Sequence, residues 1–231
     1  MSPPDDVRPG LHVRPARGRT RAAVLLLHGG TEHSLEPLDG LQLSRRRMVP
    51  FARALHRQGA AHGVAVWSLA YRVRGWNGDA RSPVADARWA LDELRKQHGG
   101  VPTSLVGHSM GGRVAAAVLD DPDVVAMVGL APWLPGDPVT GARGKQLLVA
   151  HGTQDGTTSP RKALDWVERA RGEGATATFA HVEGAGHALL RRFGLWTDLS
   201  TGFALGSLGV RARVGRTAQR VLDQPGATLT V

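Results

Sequence analysis

Cysteine is missing from all 231 residues. Its absence excludes a disulfide framework and a thiolate metal site, and a reducing compartment is the expectation. No apolar run is long enough to cross a bilayer. The first one, Ala22 to Leu27, is too short and too late for a signal peptide. The opening Met1-Ser2-Pro3-Pro4-Asp5-Asp6 carries prolines and acids where a leader would carry basic residues. A cytoplasmic protein without membrane association is therefore expected. Lysine is scarce, with Lys96, Lys145 and Lys162 the only three. Arginine supplies the rest of a net charge of +9 and is scattered, Arg45-Arg46-Arg47 being its only run of three. Together with abundant Ala and Gly, this matches GC-rich coding, so a solvated basic surface is expected rather than a specific nucleic-acid partner. No His and carboxylate pair has metal-ligand spacing, and no glycine loop with a lysine could cradle phosphate. Neither metal nor cofactor is expected.

What is present is an alternation of apolar runs and helix-type segments. Ala22–Leu27, Val64–Leu69, Pro102–Val106, Val124–Leu130, Gln146–Ala150 and Thr176–His181 read as strands. Runs apolar on both sides suit parallel strands buried between two helix layers. Between them, Ser44–Gln58 has helical spacing in Met48, Phe51, Ala52 and Leu55, with a start or a kink expected near Pro50. Ser82-Pro83 signals the cap and first turn of a helix to Gln97. Its core face is Val84, Ala87, Leu91 and Leu94, and Asp92 with Lys96 is an i,i+4 pair. Ser159-Pro160 caps a helix to Arg171, and a further helix interrupted by Gly194 and Gly202 lies between Ala188 and Leu208. The result is one α/β domain over residues 1–231, with a doubly wound, mostly parallel sheet and helices on both faces. Residues 1–20 are an N-terminal extension with one short edge strand around Leu11-His12-Val13. Residues 209–231 form an unassigned tail.

The organising motif is Gly107-His108-Ser109-Met110-Gly111, between a strand-type and a helix-type run. A strand-to-helix turn this tight strains the serine backbone and presents Ser109 Oγ above the sheet. The two glycines let the neighbouring chains pass, and the Met110 N–H then faces a developing oxyanion. His28-Gly29-Gly30 ends an earlier strand, Asp155 follows a later one, and Gly186-His187 follows the last.

This order of Ser, Asp and His resembles the α/β-hydrolase superfamily over about Ala22 to His187. The resemblance implies Ser109 as nucleophile, His187 as base and Asp155 as its acid partner, with Asp137 and Asp123 as alternative acids. It also implies Gly30 as the second oxyanion donor beside Met110, with Thr31 the fallback. His28 and His151, each before a glycine at a strand end, are expected to bind loop backbone, and His108 to be held in packing. Trp76, Trp133 and His33 sit on loops that would line a substrate cleft, whereas Trp89 and Trp166 would pack. Arg72 and Arg74 would face solvent or meet a substrate carboxylate. The 133–145 connection has room only for a loop, so no cap domain is expected.

That form resembles small esterases and dienelactone-hydrolase-like proteins, although the cysteine typical of the latter is absent. The implied activity is hydrolysis of a carboxylic ester or similar acyl bond in a small-molecule substrate. A thioesterase, an acyltransferase and a non-catalytic binding protein of the same fold are the alternatives.

Overall fold

The computed structural model describes residues 8–38 and 42–231. Its strands are β1 (Gly10–Arg14), β2 (Ala22–Leu27), β3 (Val64–Ala70), β4 (Thr103–His108), β5 (Val124–Leu130), β6 (Gln146–Gly152), β7 (Thr176–Val182) and β8 (Thr228–Thr230). The helices are α1 (Leu43–Gly59), α2 (Ser82–His98), α3 (Met110–Ala117), α4 (Pro160–Gly172), α5 (Phe193–Gly206) and α6 (Arg216–Leu222). All eight strands join one sheet in the order β1-β3-β2-β4-β5-β6-β7-β8. β1 runs antiparallel to β3, and the remaining pairs are parallel.

The apolar runs are continuous because each strand is covered twice. Ala23, Leu25 and Leu27 of β2 join Val84 and Leu91 of α2, Val114 of α3 and Trp166 of α4 on one face. Ala22, Val24 and Leu26 join Phe51 of α1, Trp196 of α5 and Val221 of α6 on the other. Alternation along a strand sends successive side chains to opposite faces, so two helix layers demand apolar residues at every position. The doubly wound α/β-hydrolase architecture follows.

Several local expectations are corrected. α1 begins seven residues before Pro50 and runs through it. Pro50 is exposed, so the backbone carbonyl deprived of its donor lies where water can reach. Ser82 is not the cap of α2: Arg81 stands there in the left-handed region, φ 42°, and Ser82 Oγ instead accepts from Asn77 Nδ2 at 3.3 Å. Asp92 and Lys96 do not pair. Arg95 donates to Asp92 at 2.7 Å and Lys96 to Glu93 at 2.8 Å, each at i,i+3. α5 is uninterrupted by Gly194 or Gly202. At Gly202 the absent side chain is a packing device, because a Cβ there would sit 2.5 Å from Leu222 Cδ1.

The tail is structured. α6 packs on α5, and β8 extends the sheet beside β7 with Thr228 opposite Phe179. Within the 1–20 extension, Gly10–Arg14 is the expected edge strand, and residues 1–7 lie outside the described residues. From Ala131 to Lys145 the chain contains no helix, as expected for an uncapped fold. No helix among the described residues is long and apolar enough to cross a membrane.

Candidate active site

Parallel strands end on one edge of the sheet, so the loops after β2, β4, β6 and β7 meet. Ser109, between β4 and α3, has φ 55° and ψ −120°, a conformation unfavourable for a residue with a side chain. The surroundings hold it there. Ser109 N donates to Leu130 O at 3.1 Å, and Ser109 O accepts from Gly112 N and Trp133 N, both at 3.0 Å. A Cβ on Gly107 would overlap the Gly111 carbonyl, and one on Gly111 would overlap the Leu27 carbonyl. Both glycines of the motif are thus required by backbone crossing.

Ser109 Oγ lies 2.9 Å from His187 Nε2, and His187 Nδ1 lies 2.9 Å from Asp155 Oδ2. A hydroxyl, an imidazole and a carboxylate so stand in series at hydrogen-bonding distance, and such a series can pass the hydroxyl proton to the ring. The Asp155 side chain is fully buried, whereas His187 keeps 17% of its side chain exposed. Burial drives the Asp155 carboxyl up, but hydrogen bonds from His151, His187 and the Thr158 and Thr157 N–H groups outweigh it and hold the group well below the usual carboxylate range. Those N–H groups reach Asp155 Oδ1 at 2.9 Å and 2.8 Å.

His151 departs from its expected role. Its ring is fully buried and meets side chains rather than loop backbone: Nε2 lies 3.1 Å from Asp155 Oδ2 and 3.2 Å from Thr158 Oγ1. Thr158 Oγ1 donates to Asp155 Oδ2 at 2.9 Å and stands 3.2 Å from His187 Nδ1. Sequence reading missed Thr158 altogether. The available signal was weak: an Asp-Gly-Thr-Thr stretch in which the aspartate turns back onto N–H groups two and three residues on.

His28 does bind loop backbone. Its Nδ1 lies 2.6 Å from Gly29 O, and its Nε2 accepts from Tyr71 N at 3.5 Å. Burial pulls its pKa down to about 4. His108 is buried too, and burial lowers its pKa to about 3. The neutral His108 ring donates from Nε2 to His187 O at 3.0 Å, which ties the elbow to the loop carrying His187.

Met110 is the first residue of α3, where a helix N–H has no partner in its own helix. Gly30 packs against it, since a Cβ on Gly30 would overlap Met110 Cε and the Arg74 carbonyl. Thr31 N is already engaged by Arg74 O at 3.0 Å, which removes the fallback donor.

Asp137 and Asp123 are committed elsewhere. Asp137 receives Arg113 Nε at 2.6 Å and a second guanidinium nitrogen at 2.7 Å. Asp123 accepts from Arg95 Nε at 2.8 Å. Trp76 and Trp133 meet edge to face, with centroids 6.3 Å apart, and hold Arg113 between them. The Arg113 guanidinium carbon is 3.8 Å from the Trp76 centroid and 4.4 Å from the Trp133 centroid. With His33, Glu32, Asp79 and Arg81 these groups line a cavity of about 270 Å³. Trp76 and Trp133 thus share one cavity wall, bridged by the Arg113–Asp137 ion pair. Arg72 and Arg74 serve the fold: Arg72 Nε meets buried Asp86 at 2.5 Å, and Arg74 meets Glu36 at 2.9 Å.

Solved structures share this fold at low identity. An esterase from the Planctomycetes species Thermogutta terrifontis, bound to butyrate, has a TM-score of 0.68 at 20% identity over 91% of this chain and 93% of its own. An α/β serine hydrolase homologue from Coxiella burnetii has a TM-score of 0.63 at 17% identity, over 84% and 90%. A serine hydrolase without a lid from Xanthomonas campestris has a TM-score of 0.59 at 19% identity, over 89% and 91%. No curated protein matches the sequence. The model of a hydrolase family described as "Serine aminopeptidase, S33" matches residues 18–147, more than half of the chain. With the eight-stranded sheet and the Ser109 elbow, that match makes this chain a member of the serine aminopeptidase S33 family, within the α/β-hydrolase superfamily.

Proposed function

We propose that the protein is a serine hydrolase that cleaves a carboxylic ester or related acyl bond through an acyl-enzyme on Ser109. The carrying observation is the unbroken series Ser109 Oγ, His187 and Asp155, with both links at 2.9 Å. Ser109 Oγ attacks the carbonyl carbon while its proton passes to His187 Nε2. The carbonyl oxygen becomes an oxyanion facing the Gly30 and Met110 N–H groups, which stabilise charge that is absent from the ground state. The tetrahedral intermediate collapses, and the leaving alcohol takes the proton from His187. Water then attacks the acyl-enzyme with His187 as base, releasing the carboxylic acid and restoring Ser109. Asp155, held ionised by its donors, keeps His187 Nδ1 protonated and offsets the imidazolium charge.

A preference for short acyl groups is part of this proposal, supported by the uncapped 131–145 loop and by the likeness to an esterase that holds butyrate. A fluorophosphonate probe tests the whole reading. Covalent labelling of Ser109, lost together with ester hydrolysis in Ser109→Ala, is expected. Labelling at another residue, with Ser109→Ala still active, would overturn it.

A further inference from the structure

A second cavity lies on the other side of β2, between the N-terminal half of α1 and the edge of the sheet. It has a volume of about 260 Å³, and among the described residues its wall contains no acidic one. On β1, His12 stands opposite Ser68 and Arg14 opposite Val66, so strand alternation turns both basic side chains toward the face that α1 covers. On α1, Arg45, Met48, Val49 and Ala52 follow the i, i+3, i+4, i+7 spacing of one helix face. That face lowers an arginine to the rim and three apolar side chains to the floor, where Leu26 and Leu69 complete it.

The cations of this cavity differ from the arginines that are paired elsewhere in the fold. Arg72, Arg88, Arg95, Arg113 and Arg171 all reach carboxylates within 3.0 Å. Arg14 and Arg45 are half-buried, yet among the described residues neither side chain has a hydrogen-bond or ion-pair partner; Arg46 and His12 beside them have none either. A partly desolvated guanidinium without a counter-charge is costly. Its planar fork matches a carboxylate.

We propose that this cavity binds a small amphiphilic anion: a carboxylate between Arg14 and Arg45, with a compact apolar body on the floor made by Met48, Val49, Ala52 and Leu26. The inference does not depend on the chemistry at Ser109. It uses the Arg45-Arg46-Arg47 run, which the proposed hydrolysis leaves without a task.

Octanoate is the probe, and calorimetric titration with thermal unfolding is the readout. Octanoate should bind saturably and raise Tm. Octanol, acetate and inorganic phosphate should bind much more weakly, since each lacks the head or the tail. Arg14→Gln and Arg45→Gln should each weaken octanoate by about tenfold or more, the loss of one hydrogen bond to a charged group. Val49→Phe should abolish binding by filling the floor. Ser109→Ala should bind octanoate like the wild type, which separates this cavity from the Ser109 site. Absence of saturable binding to the wild type overturns the proposal. So does unchanged affinity in both arginine variants, or phosphate binding as tightly as octanoate.

Discussion

Asp155 Oδ2 carries two imidazoles: His187 Nδ1 at 2.9 Å and His151 Nε2 at 3.1 Å. His187 reaches on to Ser109, whereas His151 is fully buried and touches no part of it. Each donor on a carboxylate draws charge away from the others, so His151 moderates how strongly Asp155 holds the His187 proton.

The first prediction is that His151→Phe lowers kcat. Without that donor, the Asp155 carboxylate loses one of the bonds that hold it ionised and turned toward His187. His151→Gln, which keeps an N–H donor, should recover part of the loss. An unchanged kcat in His151→Phe would assign His151 a packing role alone.

The two candidate acids should separate cleanly. Asp155→Asn should keep the fold but lower kcat by about 10⁴-fold, because the amide favours the wrong tautomer of His187. Asp137→Asn should leave kcat within a small factor. It breaks the paired bonds to Arg113, costing stability of about 1–3 kcal/mol. Kinetics and urea unfolding of the two variants decide, and a large kcat loss confined to Asp137→Asn would move the acid.

Acid should destabilise the protein in two windows. His28 and His108 are held neutral by burial, with pKa values of about 4 and about 3. Unfolded, both would titrate near about 6.5. As pH falls below that value, the unfolded chain binds protons that the folded chain refuses, so stability drops until about pH 3–4. Each group accounts for a few kcal/mol at full effect. Asp155 acts lower down. Its depressed carboxyl contributes stability above about pH 4 that is lost as pH falls toward its folded value. Urea unfolding from about pH 7.5 to about pH 4 should show a decline that is shallower in His28→Gln. A flat wild-type curve would contradict it.

Acyl length provides the fourth prediction. The 131–145 segment has no helix, and α5 and α6 are packed against the sheet with Trp196 and Val221 in the core. Little can close over a long chain, so each added methylene stays partly wet and contributes less than the roughly 0.8 kcal/mol of full burial. Short-chain esters should be preferred, with no rate jump above the substrate's solubility limit. Rates on an acetyl-to-palmitoyl series check this, and an optimum at long chains would reveal a closing element.

Much of this protein is determined locally and so was legible in the residues. Apolar runs that admit no polar position require burial on both faces, which residues 22–27 and 147–150 meet. Gly107 and Gly111 mark a backbone crossing that any side chain would block. The Ser, Asp, His order put the three expected residues at strand ends, and parallel strands end together. Other features were decided by tertiary structure, because they depend on what arrives from distant segments. Asp137 stood as an alternative to Asp155 by position until Arg113 arrived to occupy it. Trp76 and Trp133 are 57 residues apart and enclose a cation that neither stretch announces. Thr228–Thr230 is too short to read as a strand alone; it becomes one because β7 offers a free edge beside it. His151 shares its His-Gly context with His28, yet a carboxylate four residues on turns its ring toward Asp155 while His28 turns to Gly29 and Tyr71. Local patterns decide which backbone forms, and only packing decides which partner a polar side chain finds.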